Sequence, residues 1–409
     1  MILSQETEKK RLIECNVAVV GSGPAGMLAA LKLASLYKEV ILIGPQTNSN
    51  DMRTTAMMMP TVHTLEELGI SNLKSHAAPL SIMRILDATK RLIRSPSVSF
   101  HASEIGEEAF AYNIPNTILN TAMAAAVKNN PSIFRITMSA KDYHHERYGI
   151  EIKLTDGTTI NTALLIAADG GTSSARDAAK IKTYKWYYPQ TAIILNFSHQ
   201  LPHYNVATEF HTPDGPFTQV PLPGNCSSLV WVLKSERARQ LLSFSSKTLG
   251  KEIEEHMKFI LGKIKVDTAV QVWPMGSVIS EIFAANRTIL IGEAAHVFPP
   301  IGAQGFNLSI RDVIDLAAAV SVNIADPGAE DVIRYYNRHR KLDIWTRTGV
   351  VHALNCALLS DFLPMQLLRS TGMEILRQIA SFRKFFMHEG MNAGCTLYHF
   401  LGYLQKSEK

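Results

Sequence analysis

Three glycines set the first chemical constraint. Gly21, Gly23 and Gly26 stand in GSGPAG with the spacing G-x-G-x-x-G. An apolar β-branched run, NVAVV at 16–20, precedes them, and MLAALKLASLYKEV follows with helical spacing. A second buried-strand run, VILI, occupies 40–43. In a strand–turn–helix unit each glycine has its own task. One permits the tight turn, one lets backbone approach a pyrophosphate, and one allows close helix–strand packing. The helix that starts at Pro24-Ala25 would turn the free N–H groups that follow the proline, and its positive dipole end, towards phosphate oxygens. The expectation is a dinucleotide site. One element departs from the fingerprint. The acidic residue that normally ends the second strand and holds the ribose is Gly44 here, followed by Pro45 and Gln46.

Two later segments repeat the pattern of strand running into glycine turn. Residues 149–167 read as a hairpin around Asp156-Gly157, a type I′ turn signal. The second strand runs into Ala168-Asp169-Gly170-Gly171-Thr172-Ser173, with Arg176 three residues on. Further along, RTILIG at 287–292 leads into EAAHVFPPIGAQGFN, whose glycine-rich turn, Gly302 to Asn307, opens a helix. Backbone N–H groups there would suit a developing negative charge.

Composition narrows the classes. The chain has 409 residues, 46% hydrophobic and 19% charged, which argues against disorder and predicts two to three domains. Lys+Arg is 41 and Asp+Glu is 36, so the net charge of +5 gives no electrostatic footprint for nucleic acid. Cys15, Cys226, Cys356 and Cys395 form no C-x-x-C pair. With no H-E-x-x-H and no Cys/His array, no metal is expected. The polar start, MILSQETEKKRLIE, lacks an apolar signal-peptide core, and no run of 18 apolar residues occurs. The expected location is cytoplasmic, with contact at a membrane surface left open.

The three motifs in this order resemble the class A flavin monooxygenases, which share the p-hydroxybenzoate hydroxylase fold. Within that group the chain is most similar to the ubiquinone-biosynthesis hydroxylases, through YYPQTAIILNF at 187–197 and ATEFHTPDGPFTQVPLPGNCSSLVWV at 207–232. The resemblance implies an α/β fold: a Rossmann-like FAD-binding domain, an inserted antiparallel-sheet substrate domain and a helical C-terminal tail. It divides the chain into 1–180 and 281–350 for FAD, 181–280 for substrate and 351–409 for the helical region. It implies FAD, O2 and an NAD(P)H donor, and a flavin hydroperoxide that hydroxylates a polyprenylated phenol.

The same resemblance assigns residues. Gly21, Gly23, Pro24, Ala25 and Gly26 would hold the cofactor, and Arg53 in DMRTTA would meet a phosphate. Asp169 would lie near the pyrophosphate, against the simpler reading of an Asp bracing its own turn. Gly292 and Glu293 would serve the ribityl chain, with Glu293 standing where the family has Asp. Gly302, Gly305, Phe306 and Asn307 would approach the flavin ring, and Pro300, Gly302 and Gln304 would form its wall and backbone environment. No side-chain base is assigned. His296 reads as structural, bonded to a backbone carbonyl.

Short helices are expected at 61–70 and 116–129, the latter with Asn116 as N-cap. His144-His145 reads as part of a solvated hairpin. From Val351 the chain is helical and apolar, and Phe382, Phe385 and Phe386 beside Arg383 and Lys384 would suit an anionic membrane surface. Two other readings stay open: hydroxylation of a small soluble aromatic, and a flavin-fold accessory subunit of a quinone-biosynthesis complex.

Overall fold

The computed structural model describes residues 12–46, 51–89, 91–299, 304–360 and 362–391. Among them three sheets form. The first has parallel strands β1 (Leu12–Val20), β2 (Val40–Ile43), β8 (Ile133–Ile136), β11 (Thr159–Ala167) and β19 (Thr288–Leu290) in the order β19-β11-β1-β2-β8. Strands β9 (Ala140–His145) and β10 (Ile150–Leu154) extend it as an antiparallel meander on β11, and β18 (Ala284–Ala285) adds to β19. The β-branched runs of β1 and β2 are buried on both faces, as a parallel sheet with helical cover requires. Helix α1 (Pro24–Leu33) gives that cover, packing against α3 (Asn116–Asn129) and α7 (Gln304–Val320).

The second sheet is nine-stranded, with its path in the order β20-β17-β12-β15-β14-β13-β5-β6. It comprises β12 (Thr183–His199), β13 (Val206–Thr212), β14 (Gly215–Leu222), β15 (Cys226–Lys234), β17 (Gln271–Ser280) and β20 (His296–Val297), with β16 (Ile264–Val266) paired to β12. It also takes β5 (Ile82–Asp87) and β6 (Val98–His101), from within the stretch 1–180. One face is closed by α5 (Ser235–Leu242) and α6 (Ser246–His256) over Phe197, Phe210, Phe217 and Trp231. A small third sheet, β3 (Thr54–Met58), β7 (Ala111–Pro115) and β4 (Ala78–Leu80), joins the two larger ones. Helix α2 (Met59–Glu67) follows β3, and α4 (Ser174–Ala178) follows β11. The chain then runs through α8 (Glu330–Leu359), α9 (Leu363–Gln378) and α10 (Ala380–Met391).

Two local expectations change. The hairpin at 149–167 is present, but only Gly157 takes positive φ, +86°, and Asp156 does not. Gly157 N–H donates to Leu154 O and Leu154 N–H to Thr158 O, so the turn is type I with a glycine bulge rather than type I′. Asn116 is the first helical residue, and Pro115 holds the cap position. The Asn116 amide instead accepts from Thr55 and donates to Asp51, which ties α3 to the loop before β3.

A buried charged cluster fixes α7 and α8 to the first sheet. Asp312 Oδ2 accepts from Gly292 N–H at 2.8 Å and His296 Nε2 at 2.7 Å. Its Oδ1 lies 2.8 Å from Arg340 Nη2. Arg340 also pairs with Asp315 and Asp343, and Asp343 holds Arg311 and Arg347. Asp312 and Arg340 are buried. Burial alone would favour a neutral Arg340, but Asp312, Tyr336, Asp343 and Asp315 hold it charged. Burial likewise pushes the Asp343 carboxyl up, and Arg340, Arg311 and Arg347 more than offset it, so the net direction is down. The expected backbone partner of His296 is therefore a carboxylate.

Breaking this cluster from one side strands its other members. Asp312→Ala should cost about 3–5 kcal/mol in urea denaturation, because buried Arg340 loses one of its three carboxylates and Gly292 N–H and His296 lose their acceptor. Asp343 titrates below its unfolded value of about 3.9. Its stabilisation is therefore complete above that value and fades as pH falls through the lower folded one. Asp343→Asn should flatten that acid limb of the stability–pH curve.

Candidate functional site

The glycine turn after β1 divides its labour as the spacing predicts. Gly21 adopts φ +114° and its N–H donates to Ile43 O at 2.8 Å. A Cβ there would lie 2.1 Å from Ala168 O. A Cβ on Gly26 would lie 1.8 Å from Gly21 O. These two glycines are dictated by protein against protein. A Cβ on Gly23 would meet nothing within 4 Å. Gly23 caps α1 in an extended conformation, with Pro24 in the first turn and Ala25 after it. The space over Gly23, beside the unpaired N–H groups of the helix start, is where an anionic group can approach.

Gly44 explains the missing acidic residue. It adopts φ +153°, and a Cβ there would fall 2.8 Å from Ser22 N. Ser22 Oγ donates to Pro45 O, so the first turn and the end of β2 are sewn together where the fingerprint expects a carboxylate. This closure supplies no acidic ribose acceptor at position 44.

The central motif packs directly on the first. Asp169 accepts from Ser173 Oγ, Ser174 Oγ and Ala175 N–H, so its carboxylate is committed to its own turn at the start of α4. Buried Arg176 donates to Gly171 O at 3.1 Å and to Ala294 O at 3.0 Å. It thereby ties the central turn to the third motif and lies 3.5 Å from Asp177. Gly292, at φ +58°, begins a single 3₁₀ turn whose N–H is taken by Asp312, and Glu293 follows exposed.

Arg53 sits at the joint between the two large sheets. Asp51 grips it through Nε and Nη2, both at 2.8 Å. The guanidinium lies 5.1 Å from the Trp273 ring centre, on β17. Asn196 of β12 donates to Met52 O at 2.9 Å. Burial would raise the Asp51 carboxyl, but hydrogen bonds from Arg53 and Asn116 bring it below the ordinary range. Asp51 holds Arg53 firmly protonated, and Glu293 adds to that field. Arg53 and Glu293, separated by 240 positions, therefore face a common region.

At the start of α7, Asn307 works as a clamp. Its Oδ1 accepts from Met58 N–H at 2.9 Å and Thr61 Oγ at 2.7 Å, and its Nδ2 donates to Ala56 O at 2.9 Å. A Cβ on Gly305 would meet nothing within 4 Å, and Phe306 packs on the main core. Gln304 opens the helix. Pro300 and Gly302 lie outside the described residues. His144-His145 lies on β9, where His145 Nε2 is 3.1 Å from Thr288 Oγ, part-buried.

Sequence reasoning missed Asp51, Trp273 and Asp312, and read Asn116 only as a helix cap. Asp51 stands two residues before Arg53, a legible hint. The others lack a local signal, because their partners lie tens to hundreds of positions away.

A family model described as FAD binding domain matches residues 14–348. The chain is 28% identical over 397 residues to the ubiquinone hydroxylase UbiL of Rhodospirillum rubrum, covering 92% of this chain and 89% of that protein. It is 27% identical over 369 residues to the 3-demethoxyubiquinol 3-hydroxylase of Escherichia coli, covering 87% and 93%. The crystal structure of the p-nitrophenol 4-monooxygenase PnpA from Pseudomonas putida superposes with a TM-score of 0.77 at 17% identity, covering 93% of this chain and 99% of that one. That likeness shows the fold.

The contrast between the glycines is measurable. Gly26→Ala should lose about 1–3 kcal/mol or more in thermal or chemical denaturation, through overpacking. Gly23→Ala should melt as the parent apoprotein does, yet bind flavin at least about tenfold more weakly, a difference of ~1.4 kcal/mol.

Proposed function

The chain belongs to the FAD binding domain family, and from that premise we propose that it hydroxylates the aromatic ring of a ubiquinone precursor, a polyprenylated phenol, using O2 and NAD(P)H. The observation that carries this reading is the joint at Arg53. There the segment carrying Arg53 docks on Trp273 and Asn196 of the second sheet, in the field of Glu293, while Asn307 at the start of α7 clamps the adjoining β3. The names of the two relatives supply the substrate class.

The residues fit the cofactor. The open space over Gly23 and the N–H groups of Ala25 and Gly26 suit a pyrophosphate, and no acidic side chain is interposed at Gly44. Arg53 would take a phosphate oxygen, by releasing or sharing Asp51. Glu293 would accept a ribityl hydroxyl. The helix start from Gln304 to Asn307 would lie beside the ring. Asp169 and Arg176 hold the central turn in place. FAD, when bound, supplies the redox chemistry that adds one oxygen atom of O2 to the ring. The protein orients the ring, excludes water and handles protons.

The reading also covers location and domain division. The ranges 1–180 with 281–350, 181–280 and 351–409 serve as cofactor, substrate and C-terminal units, with β5 and β6 lending strands to the substrate sheet. Among the described residues no helix is long and apolar enough to cross a membrane. Helices α9 and α10 expose Leu363, Leu367, Leu368, Phe382 and Phe386, a surface suited to lying on a bilayer on its cytoplasmic side. Arg383 adds little charge there, because Glu104 pairs with it at 2.6 Å. The contact rests on apolar area and Lys384.

The purified protein should bind FAD and, with NAD(P)H and O2, yield a prenylated phenol heavier by one oxygen in mass spectrometry. A deletion strain should accumulate the unhydroxylated intermediate. A folded protein that takes up no FAD, or unchanged quinone intermediates in the deletion strain, would overturn the reading.

A further inference from the structure

The face of the second sheet that looks towards the FAD side holds a carboxylate–imidazole pair. Phe210 belongs to the core beneath α5 and α6. Its neighbours Glu209 and His211 therefore point to the opposite face, since side chains alternate along a strand. Ala207 and Val220 share that opposite face and pack with Ala56 and Met58 of β3. Asn307 holds Met58 N–H at the start of α7. Glu209 lies two residues, about 7 Å of strand, from Ala207. At the other end of the same face, Val351 of α8 packs on Ala192 and Val232. The pair thus lies on a stretch of β13 between the glycine-turn helix and the crossing of α8.

Its hydrogen bonding is directional. Glu209 Oε1 lies 3.0 Å from His211 Nε2, and Glu209 Oε2 accepts from Thr218 Oγ at 3.2 Å. The carboxylate accepts, so Nε2 carries the proton and Nδ1 is left as a bare acceptor. His211 is 9% exposed, and its Nδ1 is buried without a hydrogen-bond partner. Buried polar atoms are normally paired, and among the described residues no group donates to this one. Asp87 of β5, opposite His211 in register, accepts from Thr89 and Ser95, and Arg369 of α9 lies in its field.

We propose that His211, oriented by Glu209, accepts the phenolic proton of the substrate. The step rests on the hydroxylase reading above. The phenol O–H bond breaks, its electron pair stays on oxygen as phenolate, and an H–Nδ1 bond forms. Glu209 then faces an imidazolium, which it stabilises through Nε2–H. A phenolate ring is more electron-rich than the phenol, and so more readily attacked by an electrophilic oxygen. The proton returns to the product oxygen on release. Glu209 is a positioning residue and His211 the catalytic one.

The test uses the FAD-loaded full chain and 2-farnesylphenol as probe. At neutral pH the parent protein should bind the probe as phenolate, read by difference absorbance, whereas His211→Gln should bind it as phenol. Hydroxylation should fall about 100-fold or more in His211→Gln. Glu209→Gln should lower the plateau rate and move the acid limb of the pH–rate profile to lower pH, because the imidazole loses its carboxylate. Phenolate bound equally by His211→Gln, with an unchanged pH profile, would overturn the proposal. Should His211→Gln fail to load FAD, an unaltered profile in Glu209→Gln would do the same. A parent protein that neither binds nor hydroxylates the prenylated phenol would instead overturn the substrate reading on which the step rests.

Discussion

One buried carboxylate constrains the rest of the architecture. Asp312 has no solvent exposure, yet it accepts from the Gly292 backbone and His296 and faces Arg340. A charge in that position is tolerable only because its oxygens face three donors from two separate segments, 292–296 and α8. The consequence is geometric. The third motif, α7 and α8 cannot move independently, so the turn carrying Glu293 and the helix start carrying Asn307 keep a common frame. Arg176 extends that frame to the central motif through Gly171 and Ala294.

From this frame the site grows outward. Asn307 fixes β3, and the segment before β3 carries Arg53 to the second sheet, where Trp273 and Asn196 receive it. Helix α8 reaches the same face of that sheet further along, with Val351 on Ala192 and Asn355 on Gln190. The cofactor side and the substrate side are thus joined by two independent struts. A surface prepared in this way can hold one ring at a defined distance from another, which is what oxygen transfer between them demands.

The polar groups fall into two kinds. Asp169, Arg176, Asp312 and Arg340 are held by partners within the chain and act as fasteners. Gly23, Gly305 and His211 Nδ1 leave space or bonding capacity unused.

Much of the cofactor side was legible in the sequence. G-x-G-x-x-G spacing, two further glycine turns and buried β-branched runs act over a few residues, where backbone sterics decide the outcome. The return of 288–290 to the first sheet followed from the same pattern. The turn at Asp156-Gly157 and the cap of α3 were misjudged because several local geometries suit the same residues. Only tertiary structure decided which glycine is open, what closes Gly44, and that His296 meets Asp312 rather than a carbonyl. It alone placed Arg53 beside Trp273 and left His211 half-bonded. Those pairings join elements far apart in the chain, and their energies depend on burial and on partners that no local spacing records.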